Sequence, residues 1–251
     1  MPAPETDDHA TAAKLATEAG ELLVELRTRL ADYGIDGKAL GAEGDRAAHE
    51  LLMRRLAESR PDDAVLSEEG VHDSARLAAE RVWIVDPLDG TREFGEVPRT
   101  DWAVHVALVA DGVPVAGAVA LPARGMTLAT ATPPSPPGAR TGPVRVVVSR
   151  SRPPAEATLI AEALGGELVT LGSAGAKAMA VVLGEAEVYA HSGGQHEWDS
   201  AAPVAVARAA GLHASRLDGT ALVYNRPDPY LPDLLICRPE LAEPVITAAG
   251  R

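Results

Sequence analysis

The stretch RVWIVDPLDGTREF, residues 81–94, runs from an apolar segment into two aspartates three positions apart, separated by Pro87 and Leu88, and then into a glycine-threonine turn. VWIV is near-continuously apolar, the pattern of a strand covered on both faces. Pro87 biases Asp86 away from helical angles, which puts Asp86 at the carboxyl end of that strand. Asp89, Gly90 and Thr91 then turn into the next segment, and a glycine there lets the backbone approach a ligand closely. A helical turn beginning at Thr91 aims free N–H groups at the site and favours an anion such as phosphate. The plainer alternative is an Asp-Gly turn with Asp89 as a cap. Two carboxylates at the end of a buried strand make a poor core and a good place to hold something charged.

Outward from this stretch, the chain alternates between helical and strand patterns. TAAKLATEAGELLVELRTRL carries Leu15, Ala19, Leu22, Leu23, Leu26 and Leu30 at helical spacing and reads as a first long helix. A second helix is expected from about Asp45 to Ser59, stopped by Pro61. AVLSEEG reads as a short strand running out into acids, and WAVHVALVADGVPVAGAVALPA as a hairpin turning at ADGVP. ATPPSPPGARTGPV then packs five prolines into a few residues, too many for a helix or a central strand. The expected organisation is an α+β unit over 1–132, a Pro-rich linker over 133–143 and an α/β unit over 144–251. The second unit reads strand VRVVVSR, helix PAEATLIAEALGG, strand ELVTLG, helix SAGAKAMAVVLGEA, strand EVYAHS, helix SAAPVAVARAAG and closing strand DLLICR. Gly184 reads as a helix C-cap.

Composition narrows the function classes. The 251 residues suffice for one large domain or two small ones. With 23 Lys and Arg against 36 Asp and Glu, the formal net charge is −13, a field that repels nucleic acid. A small anionic substrate remains compatible, because a bound metal inverts the local charge. The single cysteine, Cys237, forms no internal disulfide, which fits a reducing compartment. No apolar run approaches the roughly 20 residues needed to cross a bilayer, and the polar start MPAPETDDHATAAK is unlike a signal peptide. These features predict a cytoplasmic protein without a membrane or nucleic-acid partner.

Two further acidic stretches accompany the first. LSEEG places Glu68 and Glu69 just after a strand, where a solvated acidic turn is the bland reading. EWDSAAP places Asp199 before a small-residue helix, where it serves as an N-cap, with Pro203 tolerated in the first turn. Together, SEEG, then DPLDGT, then WDSAA resemble the inositol monophosphatase superfamily of metal-dependent, lithium-sensitive phosphatases, over nearly the whole chain. The resemblance implies a layered αβαβα sandwich of mixed α+β and α/β character, with the active site between two subdomains. It also implies that Glu68, Asp86, Asp89, Asp199 and the Leu88 carbonyl bind two or three Mg²⁺ ions. Asp45, in GAEGD, matches the family's upstream acidic position less closely. Oxygen-only ligands suit Mg²⁺ on chemical grounds as well. One carboxylate pair at 4 Å costs about 4 kcal/mol at an effective dielectric of 20, so such a cluster calls for cations. By the same resemblance Glu68 and Thr91 orient the attacking water, and the Gly90 and Thr91 amides hold the scissile phosphate.

Within the superfamily the sequence leans to the 3'(2'),5'-bisphosphate nucleotidases of the CysQ type. DGTREF, VSRSR and YNR resemble nucleotidase stretches, which makes Ser149 a substrate contact. Ser192, seven positions before Asp199, stands where inositol monophosphatases carry a glutamate for sugar hydroxyls. The resemblance implies removal of the 3'-phosphate from a phosphorylated nucleotide, 3'-phosphoadenosine 5'-phosphate or its sulfate-bearing form. The alternatives are an inositol monophosphatase, a fructose-1,6-bisphosphatase or an inactive phosphate-binding regulator. Lys177, in GSAGAKAM, is open between a contact for the second phosphate and a solvated helix face. His105 reads as a core histidine, His191 and His196 do not suit an oxygen-only site, and Cys237 reads as an inert core thiol. The sequence leaves a homodimer open.

Overall fold

The computed structural model describes residues 6–135, 138 and 141–250. Two five-stranded sheets divide the chain at the Pro-rich segment, part of which lies outside the described residues. The first contains β1 (Ala64–Ser67), β2 (Arg81–Asp89), β3 (Ala103–Ala110), β4 (Val113–Leu121) and β5 (Met126–Ala129) in sequential order. β1 and β2 are parallel and the remaining pairs antiparallel. The second contains β6 (Arg145–Ser149), β7 (Glu167–Leu171), β8 (Val188–His196), β9 (His213–Ser215) and β10 (Tyr230–Cys237), in the order β7-β6-β8-β10-β9. There β7, β6 and β8 are parallel, with β10 and β9 joined antiparallel.

Alternation along the strands distributes their side chains between helical layers. In β2, Trp83 and Val85 pack on α1 (Thr6–Asp32) and α2 (Gly37–Ser59), whereas Val82 and Ile84 face α5 (Ala174–Val182) and α6 (Glu197–Ala209). In β6, Val147 joins that same central core, and Val146 and Val148 point outward to α4 (Ala155–Ala163) and α7 (Ala242–Ala249). The result is the layered αβαβα arrangement. Helices α5 and α6, from the second half, pack directly on the first sheet: a Cβ on Gly117 of β4 would come within 2.9 Å of Ala205 Cβ. Among the described residues no helix is long and apolar enough to cross a membrane.

The hairpin turns where expected, with Asp111 (φ 50°) and Gly112 (φ 74°) both left-handed, as a two-residue turn between twisted strands requires. Gly184 follows the end of α5 at φ 71°, as a C-terminal glycine should. Cys237 is buried among outer-core residues of the second sheet.

Two helix starts differ from expectation. Helix α2 begins at Gly37, not near Asp45, so Asp45 lies inside it. In its first turns Gly41 and Gly44 face Thr91, Leu88 and Phe94 at distances that leave no room for a side chain. Helix α6 begins at Glu197 with His196 as N-cap, so Asp199 is the third helical residue rather than the cap. Pro203 is therefore interior to α6 and offers no N–H to the Asp199 carbonyl one turn back. Short strands β5 and β9 and helix α7 carry too few residues to announce themselves by periodicity.

Candidate metal centre and active site

Strand β2 runs past Asp86 to Asp89, and its pairing with β3 slips in between: Asp86 faces His105 and Asp89 faces Ala103. Three steps on β2 thus oppose two on β3, a bulge at Pro87-Leu88. Residues three apart on a regular strand point to opposite faces; the extra residue brings both carboxylates to one side. Gly90 then takes the left-handed conformation (φ 87°, ψ 43°), and a single helical turn, α3 (Thr91–Gly95), follows. The Leu88 N–H donates to Asp86 Oδ1 at 3.1 Å, and the Leu88 carbonyl lies 3.2 Å from Thr91 Oγ1 as one of two acceptors in reach of its single proton.

Asp199 meets this pair from the second half of the chain. Carboxylate oxygens of Asp86, Asp89 and Asp199 all lie within 4.8 Å of one another. Glu68, one residue beyond β1, lies close enough for its charge to act on Asp86 and to feel Asp199. Although Glu68 is exposed as a residue, its carboxyl end is set down among the other acids. The site thus gathers Glu68, Asp86, Leu88, Asp89 and Asp199, at the carboxyl ends of β1 and β2 and the first turn of α6.

The electrostatics fit a cation. Burial, then Glu68 and Asp89, push Asp86 well above the usual carboxylate range. Burial and Asp199 push Glu68 up to about 7, and burial with Asp89 pushes Asp199 up to about 7. Among the described residues no Lys or Arg pairs with Glu68, Asp86 or Asp199. An oxygen-only donor set with this much mutual repulsion is what a hard divalent ion relieves.

Asp89 differs. Burial opposes its charge, yet His105, Lys177 and backbone donors hold its carboxyl below the usual range. The first amides of α5 clasp it: Ala174 N–H donates to Oδ1 at 3.1 Å and Gly175 N–H to Oδ2 at 2.5 Å. His105 Nε2 lies 3.2 Å from the same Oδ2, while its Nδ1 is held by the Trp198 carbonyl at 3.0 Å. His105 is fully buried, as a core histidine would be, but its ring also supports a site carboxylate. A Cβ on Gly175 would overlap that ring, so only glycine lets α5 come this close. These supports were not foreseen from sequence; Ser173 as a cap before a small-residue helix was the one available signal.

Asp45 enters the site through Thr91, whose hydroxyl donates to Asp45 Oδ1 at 3.1 Å. Burial raises Asp45 to about 6 against the lowering bond from Thr91. Thr91 is therefore tied to Asp45 rather than to Glu68.

The remaining substrate-side residues spread along the ends of the second sheet. Ser149 closes β6, and its Oγ accepts the Arg152 N–H at 3.3 Å. Arg150, one of the basic groups of VSRSR, is committed to Glu93 and Glu96. The solvated reading of Lys177 is overturned: the residue is 3% exposed, and its Nζ donates to the Gly172 carbonyl and, at 2.7 Å, to the Ser173 carbonyl. It sits beneath the Gly172–Ser173 turn, 5.5 Å from the Tyr189 ring. Ser192 donates to Glu156 of α4 at 2.7 Å, which places a carboxylate next to the position where the sequence shows none. YNR holds structure together: Glu197 accepts the Asn225 and Arg226 amides, and Arg76 donates to Asn225 Oδ1 and the Arg226 carbonyl.

Known proteins share this plan. A 3'-phosphoadenosine 5'-phosphate phosphatase of Mycobacterium leprae is 54% identical over 252 residues, covering 95% of this chain and 92% of that protein. The 3'(2'),5'-bisphosphate nucleotidase CysQ of Escherichia coli is 32% identical, covering 87% of this chain and 94% of its own. Among solved structures, CysQ from Bacteroides thetaiotaomicron superposes with a TM-score of 0.80 at 29% identity, over 93% of this chain and 97% of that one. The model of the inositol monophosphatase family matches residues 6–249, spanning both sheets and every carboxylate of the cluster, and the chain belongs to that family.

Proposed function

We propose that this chain is a cytoplasmic, Mg²⁺-dependent phosphatase that hydrolyses the 3'-phosphate of 3'-phosphoadenosine 5'-phosphate to give AMP and inorganic phosphate. The observation that carries the phosphatase chemistry is the convergence of Asp86, Asp89 and Asp199 within 4.8 Å beside Glu68. The nucleotide is supported by the 54% identity to the mycobacterial 3'-phosphoadenosine 5'-phosphate phosphatase.

Glu68, Asp86, Asp89, Asp199 and the Leu88 carbonyl would hold the ions. When bound, Mg²⁺ neutralises the phosphate oxygens and lowers the pKa of water for attack at phosphorus. The chain's own residues supply position and proton handling. The Gly90 and Thr91 amides hold the scissile phosphate. The Thr91 hydroxyl donates to Asp45, so its oxygen lone pairs face outward to accept from the attacking water. Asp45, with a pKa of about 6, is ionised at neutral pH and draws the proton along Thr91. Glu68 serves as a second acceptor for that water. Ser149 is a contact for the nucleotide beyond the scissile phosphate. Lys177 supports the turn that starts α5, since its ammonium is spent on two carbonyls.

One observation favours a polyol phosphate instead: Glu156, held by Ser192, restores a carboxylate near the position that grips sugar hydroxyls in inositol monophosphatases. A substrate panel with Mg²⁺ and free-phosphate detection separates the two. The 3'-phosphorylated nucleotide is expected to exceed inositol 1-phosphate and fructose 1,6-bisphosphate in kcat/KM by about ten- to a hundredfold. Equal or better efficiency on either sugar phosphate overturns the nucleotide reading and leaves the phosphatase chemistry standing.

A further inference from the structure

Glu93 is a carboxylate that the hydrolytic chemistry leaves unused. It lies on α3, is 6% exposed, and faces the boundary between the two halves of the chain. A buried carboxylate needs a charged or hydrogen-bonding partner to persist. Its partner comes from the other sheet: Arg150 Nε lies 2.7 Å from Glu93 Oε1, and Arg150 Nη2 reaches Glu96 Oε2 at 2.8 Å. Arg150 is the first residue after β6, and its N–H donates to the Leu171 carbonyl at the end of β7. Its backbone thus belongs to the second sheet and its guanidinium to the turn that follows Asp89.

The surroundings of Glu93 fix what this pair joins. A Cβ on Gly172 would overlap Glu93 Cγ and Cδ, and a Cβ on Gly90 would stand 3.3 Å from Glu93 Oε2. The side chain is therefore wedged between the Gly90 turn and the Gly172 turn. The Gly172 turn has other supports: Asp101 accepts the Gly172 N–H at 2.6 Å and the Ser173 N–H at 3.2 Å, and Lys177 holds its carbonyls. The loop after β6 has no such redundancy. Among the described residues Arg150 carries its only ion pairs to the first half, and Arg152 beyond it is exposed. That loop lies outside the carboxyl ends of parallel β6 and β7, where open α/β sheets place ligands.

We propose that Glu93 and Arg150 form a positioning latch across the two halves of the chain. The latch seats loop 149–153 against the metal side of the site, so that the enzyme grips the part of the substrate remote from the scissile phosphate. Arg150 contributes to specificity through the loop it anchors rather than by touching an anion. The inference rests on the nucleotide reading above for its choice of substrate.

The test uses the full chain loaded with Mg²⁺ and four variants: Glu93→Gln, Arg150→Met, Arg150→Lys and the double Glu93→Gln/Arg150→Met. Steady-state kinetics on 3'-phosphoadenosine 5'-phosphate and on para-nitrophenyl phosphate are combined with amide hydrogen exchange over residues 149–154. Each uncharged single variant is expected to raise KM for the nucleotide roughly tenfold with kcat little changed, and the double variant to be no worse than the worse single. Arg150→Lys retains most of the affinity, KM for the small phosphate ester does not move, and exchange over 149–154 accelerates in step with KM. Two results overturn the latch: effects that multiply in the double variant, or losses that fall equally on both substrates, as a merely structural role would give. A wild-type enzyme without preference for the nucleotide sinks the substrate reading alone. The exchange cycle then decides the latch, with non-additive acceleration supporting it and additive acceleration overturning it.

Discussion

Single residues in this site have divided tasks, and Asp89 shows the division best. Its two oxygens take amides from Ala174 and Gly175 on one side and share the cluster with Asp86 and Asp199 on the other. Replacing it by asparagine keeps the size but removes the charge and turns an amino group toward one N–H. The lost bond destabilises, while relief of carboxylate repulsion offsets part of that loss. Asp89→Asn is therefore expected to keep its fold by circular dichroism and to lose about a hundredfold or more in kcat at saturating Mg²⁺. Near-normal turnover would remove Asp89 from the metal centre. Lys177 teaches the complementary lesson: its sequence position fits a phosphate contact, but burial makes it a brace for a turn.

Whole elements are placed by glycines that admit close approach. Helix α2 lies against the α3 turn because Gly41 and Gly44 present no side chain to Thr91, Leu88 and Phe94. That contact also sets Asp45 beside the Thr91 hydroxyl. A Cβ at residue 41 would stand 2.6 Å from Thr91 Cγ2 and 3.2 Å from the Thr91 carbonyl, so one of the two elements must shift. Gly41→Ala gains helix propensity in α2 but pays for overpacking, about 1–3 kcal/mol. It is expected to lower Tm by several degrees and kcat by more than the same change at exposed Gly34. Wild-type kcat in Gly41→Ala would show that the Asp45–Thr91 contact is dispensable.

For the molecule as a whole, the cluster couples stability to pH and to cations. Burial and neighbouring carboxylates push Glu68 and Asp199 up to about 7 in the folded chain, against about 4 for ordinary carboxyls, and push Asp86 up as well. Between those values the folded state binds more protons than the unfolded one, so stability falls as pH rises through the window. His105 acts in the same direction: burial lowers its pKa, but Asp89 more than restores it, and a raised imidazole gives stability that is lost on deprotonation. The opposite case, Asp89, is ionised in both states throughout this window. The metal-free protein is therefore expected to lose Tm from about pH 5 to about pH 8. Saturating Mg²⁺ binds only the folded, ionised cluster and should flatten or reverse the trend. A metal-free Tm that is flat over this range, or one that Mg²⁺ leaves unchanged, would contradict the electrostatic account of the site.

The sequence by itself determined the strand that leads into Asp86, the Asp111-Gly112 hairpin, the order of the longer elements and the acidic stretches that meet in the cluster. These are local matters: apolar periodicity, proline and glycine chemistry, and motifs whose residues are adjacent in the chain. Tertiary structure alone decided that Asp45 belongs with Thr91, that His105 and the first turn of α5 hold Asp89, that Arg150 is spent on Glu93 and that Lys177 is buried. The Asp45, α5 and Arg150 contacts join residues 46 to 86 positions apart, His105 depends on which face of a covered strand points inward, and Lys177 on which face of α5 is covered. A strand buried on both faces, such as β3, has no alternation to reveal that direction. The early start of α2 is of the same kind, since the close contact of Gly41 and Gly44 with the α3 turn is invisible until its partner is in place.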